Sequence, residues 1–101
     1  CPKGFTLPTS SDYSSLTTTY HITNSSTGST KLRQSPLAFV YTGYYHYDDG
    51  SLHTVGSGGR YWSRTASGGA GAYSLDFSSS WVFPGISDAR GYGHALRCVG
   101  R

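Results

Sequence analysis

Five aspartates, four histidines, two cysteines and no glutamate are all the chain offers for acid–base, metal-binding or redox chemistry. Their spacing argues against most of it. Asp48 and Asp49 are adjacent, so along an extended strand they would face opposite ways. Beside Gly50 they are ordinary turn formers, and no proton-sharing carboxylate pair is expected there. His21, His46, His53 and His94 show neither HxH nor HExxH spacing, so no zinc site is expected. Ser57 and Ser67 have glycine neighbours, but the chain holds no Gly-x-Ser-x-Gly elbow to present a serine nucleophile. The glycine-rich stretches 56–59 and 68–71 lack the GKS ending and the following helix of a phosphate site, and read as loops. The expectation is a non-enzyme with no metal and no cofactor.

Cys1 and Cys98 stand at opposite ends of the 101 residues, too far apart for a CxxC redox or zinc motif. In a small Ser/Thr-rich domain they read as a disulfide tying the termini together, the alternative being two free thiols. Chain entropy makes such a long closure worth roughly 4–5 kcal/mol, a large share of a small domain's stability. It also requires an oxidising place, outside the cell or in a periplasm.

The length fits one domain over residues 1–101. Charged residues are only 13% of the chain, while 17 Ser, 11 Thr and 14 Gly fill the gap. Aromatics reach 15%, nine of them Tyr, which separates the chain from disordered sequences and supplies a core from few residues. The net charge of +3 comes from eight scattered Lys and Arg, of which Lys31 and Arg33 are the closest cluster. Nucleic-acid binders concentrate charge on one face, so no nucleic-acid partner is expected. No apolar run approaches the ~20 residues of a membrane helix, and no signal peptide is present. A chain opening on Cys1 without methionine is expected to be processed or excised, with any membrane anchor lying upstream.

Pro8 to Tyr20 reads as a helix of two or three turns, opened by a Thr9/Asp12 capping box and showing Tyr13 and Leu16 on one face. His21 to Thr30 reads as a polar loop, and Lys31 to Ser35 as one further turn ended by Pro36. Strand patterning follows. Leu37, Phe39 and Tyr41 alternate with Ala38, Val40 and Thr42, and the run continues to Tyr47. Asp48-Asp49-Gly50 marks a hairpin turn. Tyr61-Trp62 heads a second strand. Ala72 to Phe77 forms a third, with Tyr73, Leu75 and Phe77 on one face and Ser74 and Asp76 on the other. Trp81 to Pro84 follows a serine turn, and Arg90 to Val99 is expected as the closing strand. The expected class is α+β: one helix or two short ones, then antiparallel strands.

Cys1-Pro2-Lys3-Gly4-Phe5-Thr6-Leu7-Pro8-Thr9 resembles the "CPxGWRLPT" opening of the Fibrobacter succinogenes major paralogous domain family. Tyr61-Trp62-Ser63-Arg64-Thr65 resembles its "YWSST" segment, and residues 72–77 and 90–99 resemble its closing "AYxLxF…RxxGxSVRCV". The departures are Phe5-Thr6 for Trp-Arg, Arg64 for Ser, and His94-Ala95-Leu96 near the end. The long cation of Arg64 is expected to point to solvent. The resemblance implies a C-type lectin-like fold, related to that of formylglycine-generating enzymes, in which paired terminal strands bring Cys1 and Cys98 together. It also implies a place in bacterial surface, pilin-like or collagen-like adhesive proteins, or among the variable proteins of diversity-generating retroelements. Formylglycine-generating relatives use active-site cysteines that this chain lacks. The Glu-Pro-Asn, Gln-Pro-Asp and Trp-Asn-Asp triplets of calcium-dependent sugar binders are also missing, so no calcium-dependent sugar site is expected.

What remains is a binding surface. If Val82 packs inward, period-2 alternation turns Trp81 and Phe83 outward; the alternative places both in the core. With Arg64, Asp76, Ile86, Asp88, Tyr92 and His94 they would form an amphipathic recognition patch. Tyr44 and His46, within the segment 44–49, offer a second rim of paratope-like composition; the alternative there is a strand with two aromatic faces. The leading expectation is a secreted or surface-displayed module that binds a protein or glycan ligand on another cell or surface, a protein being favoured. The structural alternative is the head of a pilin or extracellular fibre, with further copies of the chain as partners. A third reading has Arg60, Arg64, Arg90 and Arg97 bind a polyanion.

Overall fold

A computed structural model describes residues 1, 3–34, 37–69 and 71–100. In chain order the elements are β1 (Phe5–Thr6), α1 (Ser10–Thr19), α2 (Ser26–Arg33), β2 (Tyr44–Tyr45), β3 (Leu52–His53), β4 (Gly58–Ala66), β5 (Gly71–Ser78), β6 (Val82–Ala89) and β7 (Val99–Gly100). The class is α+β, with two helices and antiparallel sheets. β4, β5 and β6 form a three-stranded meander in sequence order, β2 pairs with β3, and β1 pairs with β7. The last pairing sets Phe5 opposite Gly100 and Thr6 opposite Val99. Beside it, Cys1 and Cys98 form a disulfide with a Cα–Cα distance of 5.8 Å. The expected tie between the termini is therefore present.

Local chemistry starts α1 where the sequence indicates. The Asp12 amide donates to Thr9 Oγ1 (3.1 Å), and the Thr9 amide donates to Asp12 Oδ2 (2.8 Å). Both halves of the capping box satisfy amides that have no partner within the helix. Tyr13 is buried on the inner face, with Leu16 packed beside it. The Thr17 and Thr18 hydroxyls both donate back to the Ser14 carbonyl, local bonding that weakens threonine-rich helix interiors.

α2 corrects the reading of residues 21–30 as loop. The Ser25 hydroxyl accepts the Gly28 amide at 3.2 Å and caps the helix. Only Leu32 is a large apolar residue on its inner face; Gly28 and Ser29 are buried with it. The Ser29 hydroxyl donates to the Ser78 carbonyl of β5. The helix is thus held by close approach and tertiary bonding, which hydrophobic periodicity does not report. Lys31 to Arg33 form its last turn, and Ser35 and Pro36 lie outside the described residues.

Three further expectations need correction. Residues 37–43 alternate as read, with Leu37 and Phe39 buried and Ala38 and Val40 exposed, yet they form no ladder. Their amides go elsewhere: Phe39 donates to the Leu32 carbonyl, Val40 to the Tyr61 hydroxyl, and Ala38 has φ +52°. The segment 90–98 is not a strand. It makes a turn and then touches both sheets through single bridges, Tyr45 with Gly93 and Tyr61 with Ala95. Finally, Gly58, Gly59 and Gly71 belong to strands rather than loops. A Cβ on Gly59 would lie 2.7 Å from the Val40 carbonyl oxygen and 2.8 Å from the Phe77 ring, so any side chain there would force the strand or its neighbours to shift.

The core comprises Tyr13, Ile22, Leu32, Leu37, Phe39, Tyr61, Leu75, Phe77 and Val82. Phe39 stands edge-on to Tyr61 at 4.9 Å, a favourable aromatic geometry. Among the described residues no helix is long and apolar enough to cross a membrane.

Candidate functional site

The sheet has two buried faces of opposite character. Leu75 and Phe77 of β5 point into the apolar core. Alternation then turns Ser74 and Asp76 to the other side, where they too are buried. The strand register sets Arg60 of β4 opposite Asp76 and Trp62 opposite Ser74. On the other side of β5, Phe83 of β6 is paired with Asp76 and Ile86 with Ser74. The face therefore carries Arg60, Trp62, Ser74, Asp76, Phe83, Ile86 and Asp88.

Charge on this face is paired inward. Arg60 Nε lies 3.0 Å from Asp76 Oδ2, and its Nη1 lies 3.8 Å from Asp88 Oδ1. The Ser74 hydroxyl donates to Asp88 Oδ2 at 2.8 Å, and His94 Nε2 lies 2.9 Å from the same oxygen. His94 is closed in by Trp62, with ring centroids 4.2 Å apart. Its side chain has no solvent exposure, and its Nδ1 has no partner among the described residues.

The two carboxylates respond oppositely. Burial pushes Asp76 up to about 6; Arg60 opposes the shift, while Asp88 reinforces it by repulsion. At Asp88 burial again works against the charge. There, however, the His94 and Ser74 hydrogen bonds and the Arg60 charge prevail and hold the carboxyl below its ordinary value. The contrast follows from the hydrogen bonds, because His94 and Ser74 stabilise the Asp88 charge whereas at Asp76 burial outweighs the nearby Arg60.

Aromatic rings roof the network. The Arg60 guanidinium lies 3.8 Å from the Tyr44 ring centroid and 5.7 Å from that of Tyr92. Tyr92 packs against Tyr44 at 5.7 Å, His46 at 5.3 Å, Tyr47 at 5.1 Å and His94 at 5.7 Å. Trp81 and Phe83 pack together at 5.2 Å. Val82 is buried and Phe83 is 39% exposed, so the alternation read from the sequence holds, with Trp81 half-buried. Tyr44, Thr54, Ser57, Arg60, Asp76 and Trp81 are among the residues lining a cleft of about 290 Å³.

Six of the ten expected binding residues, Tyr44, His46, Asp76, Asp88, Tyr92 and His94, thus belong to one connected cluster. Trp81 borders it across the cleft with Phe83 packed against it, and Ile86 is half-buried on the same sheet face. Arg64 stands apart, exposed as expected and in no ion pair among the described residues. The cluster's centre is Arg60, which the sequence reading set among polyanion-binding arginines. Three of those four arginines, all but Arg64, are engaged separately. Arg90 Nε donates to the Gly71 carbonyl at 3.2 Å, and Arg97 lies over the Phe39 ring at 4.3 Å. Trp62 and Ser74 were also missed; they pair with each other two residues along from Arg60 and Asp76, in a register that no pattern of residues signals.

The β2–β3 turn holds a further linkage, in which Ser51 Oγ is 2.7 Å from Asp49 Oδ1 and 2.8 Å from His53 Nε2. The hydroxyl has one proton. When Asp49 accepts it, His53 must donate to Ser51 and cannot serve as its base. The Ser51 hydroxyl and then its amide hold the Asp49 carboxyl below its ordinary value. No group of three or more His, Cys, Asp or Glu among the described residues is placed to hold a metal ion. Compared with family models, curated proteins and solved structures, the chain matches none.

Proposed function

We propose that the chain is a C-type lectin-like recognition module that binds a macromolecular ligand through the face roofed by Tyr44, Trp81, Phe83 and Tyr92. The observation that carries this reading is the open aromatic rim set over a buried ionic floor, beside a cleft of about 290 Å³. Rigid aromatic side chains give contact area at low entropic cost, and well-packed aromatic anchors dominate binding energies at interfaces. The fold assignment draws on the family-like motifs at both ends of the chain. The paired β1 and β7, the Cys1–Cys98 disulfide and the two helices between β1 and β2 are compatible with it. The disulfide favours an extracellular or surface location.

The test is binding of the displayed domain to arrays of extracellular proteins and glycans, repeated with rim variants. Trp81→Ala, Phe83→Ala and Tyr92→Ala are expected to abolish capture, while Phe5→Ala on β1 and Tyr20→Ala at the end of α1 leave it intact. The reverse pattern would reject this face. Assembly of the purified chain into fibres that bury Trp81 would favour the pilin or fibre-head alternative. Sequences of sibling proteins test diversification. A diversified face would vary at Arg64, Trp81, Phe83 and Tyr92, whereas Asp76, Asp88 and His94, bonded to one network, could change only together.

A further inference from the structure

Within that recognition reading, we infer that the cleft between Tyr44 and Trp81 takes a single cationic side chain, a lysine ammonium or an arginine guanidinium of a protein ligand, on the open oxygen of Asp76. Four observations converge on it.

The floor holds one permanent cation beside two carboxylates. Two carboxylates, Asp76 and Asp88, share one guanidinium at 3.0 and 3.8 Å. The remaining titratable partner, His94, bonds Asp88 rather than Asp76. Asp76 is only 6% exposed. Its Oδ2 meets Arg60, and its Oδ1 accepts no hydrogen bond from any described residue. A buried carboxylate with one free oxygen is the group that gains most from another cation.

Asp76 also lines the cleft, together with an aromatic wall. One face of Tyr44 is occupied by Arg60 at 3.8 Å. No described cation lies over Trp81, and indole is the ring that attracts cations most strongly. A side chain entering the cleft can therefore meet the Trp81 face along its length and Asp76 Oδ1 at its tip.

Size limits the occupant. About 290 Å³ lies at the lower end of the roughly 300–1,000 Å³ of small-molecule sites, which suits one side chain better than an oligosaccharide. A neutral hydroxyl could bond Oδ1 but would bring no charge to the Asp76 carboxylate. An anion would be repelled by it. The overall charge of +3 does not describe this side of the molecule, because four of the five aspartates sit on β5, β6 and the β2–β3 turn.

Protonation supplies the control. Asp76 is pushed up to about 6 mainly by burial. The charged and titratable groups facing it are Arg60 from β4, Asp88 from β6 and His94 from segment 90–98, with the Tyr44 ring from β2 stacked on Arg60. A ligand cation needs the ionised form, so its affinity must fall as pH drops through that region.

The experiment is nuclear magnetic resonance titration of the whole chain with Nα-acetyl-lysine methylamide and Nα-acetyl-arginine methylamide. A methyl hexoside and Nα-acetyl-glutamate methylamide serve as neutral and acidic comparators. The basic probes are expected to shift the Trp81 indole and the Tyr44 and Arg60 amides saturably at pH 7.5. Weakening by about tenfold or more is expected at pH 5, in 1 M salt and in Asp76→Asn, with the dispersed spectrum confirming the fold in each case. Trp81→Ala gives a second variant should Asp76→Asn not fold. Equal shifts from the hexoside or the glutamate probe, pH-independent binding, or no shift with the basic probes would overturn the cation assignment. Such a result, with array capture still lost in Trp81→Ala, would leave the recognition face standing. Loss of the array result alone would reject the face instead.

Discussion

Arg60 and Asp76 are cross-strand partners on β4 and β5, and their side chains meet 3.0 Å apart on the polar face of the sheet. The pair organises the surroundings in two directions. Through Nη1 the same guanidinium reaches Asp88, which ties in Ser74 and His94. Through its flat face it supports Tyr44 and the aromatic roof. One strand register thus couples a buried charge network to the exposed rings proposed to recognise a ligand.

That coupling predicts an unusual pH response. Asp76 binds its proton more tightly in the folded chain, where its pKa is about 6, than in the unfolded chain, where about 3.9 is normal. Its contribution is therefore fully present below about pH 4 and is lost as pH rises towards and through 6. Asp88, held low, acts oppositely and loses its contribution only as pH falls through its own depressed value. Denaturant unfolding at pH 4.5 and 7.5 should show Asp76→Asn flattening the decline between the two. The difference should be on the order of 1 kcal/mol, after allowance for solvent screening at a cleft wall. An unchanged pH profile in the variant would contradict the assignment.

The elements that depend on local chemistry were legible in the sequence. The Thr9/Asp12 box, the Asp48-Asp49-Gly50 turn and the alternation around Val82 each follow from a few neighbouring residues, and the structure contains all three. α2 was not legible, because its stability rests on Ser29 and Leu32 meeting distant partners. The charge network was hidden by a register shift between Trp62 and Ala66. Extending the Ala66–Ala72 pairing without that irregularity would set Trp62 opposite Asp76 and Arg60 opposite Ser78. The Arg60–Asp76 pair exists because the strand slips, and no residue pattern announces the slip.

The disulfide predicts a large stability effect. It closes 97 residues of sequence separation, and chain entropy assigns such a loop roughly 4–5 kcal/mol. Without it, among the described residues, the two-residue strands β1 and β7 remain to pair the ends. Cys1→Ser with Cys98→Ser should lower the unfolding midpoint in urea by an amount matching most of that energy. Reductant should reproduce the loss in the wild type and do nothing further to the double variant. A midpoint unaffected by reductant would show that the terminal closure contributes little.

Two glycines separate packing from chain entropy. Gly59→Ala drives a methyl against the Val40 carbonyl and the Phe77 ring, and overpacking of this kind costs about 1–3 kcal/mol. Gly69→Ala meets nothing within 4 Å and should be neutral or slightly stabilising, through restriction of the unfolded chain. Thermal unfolding of both variants checks the contrast, and equal destabilisation would place Gly59 outside the tight contact described.

Thr54 predicts a gain. It is a β-branched residue at φ +56°, a conformation that costs such a side chain about 1 kcal/mol or more. Its backbone carbonyl explains why the strain is tolerated, since it accepts the Ser57 and Gly58 amides at 2.9 Å each and turns the chain into β4. The side chain itself is exposed and donates no hydrogen bond among the described residues. Thr54→Asn keeps the turn with a residue that tolerates left-handed backbone, so stability should rise by about 1 kcal/mol. Because Thr54 lines the proposed cation cleft, the substitution also probes what the strain is for. If the turn is held open for the ligand, unfolding free energy should increase while affinity for the lysine probe falls. If stability does not rise, the strain is relieved elsewhere in the loop and the cleft wall is not under tension.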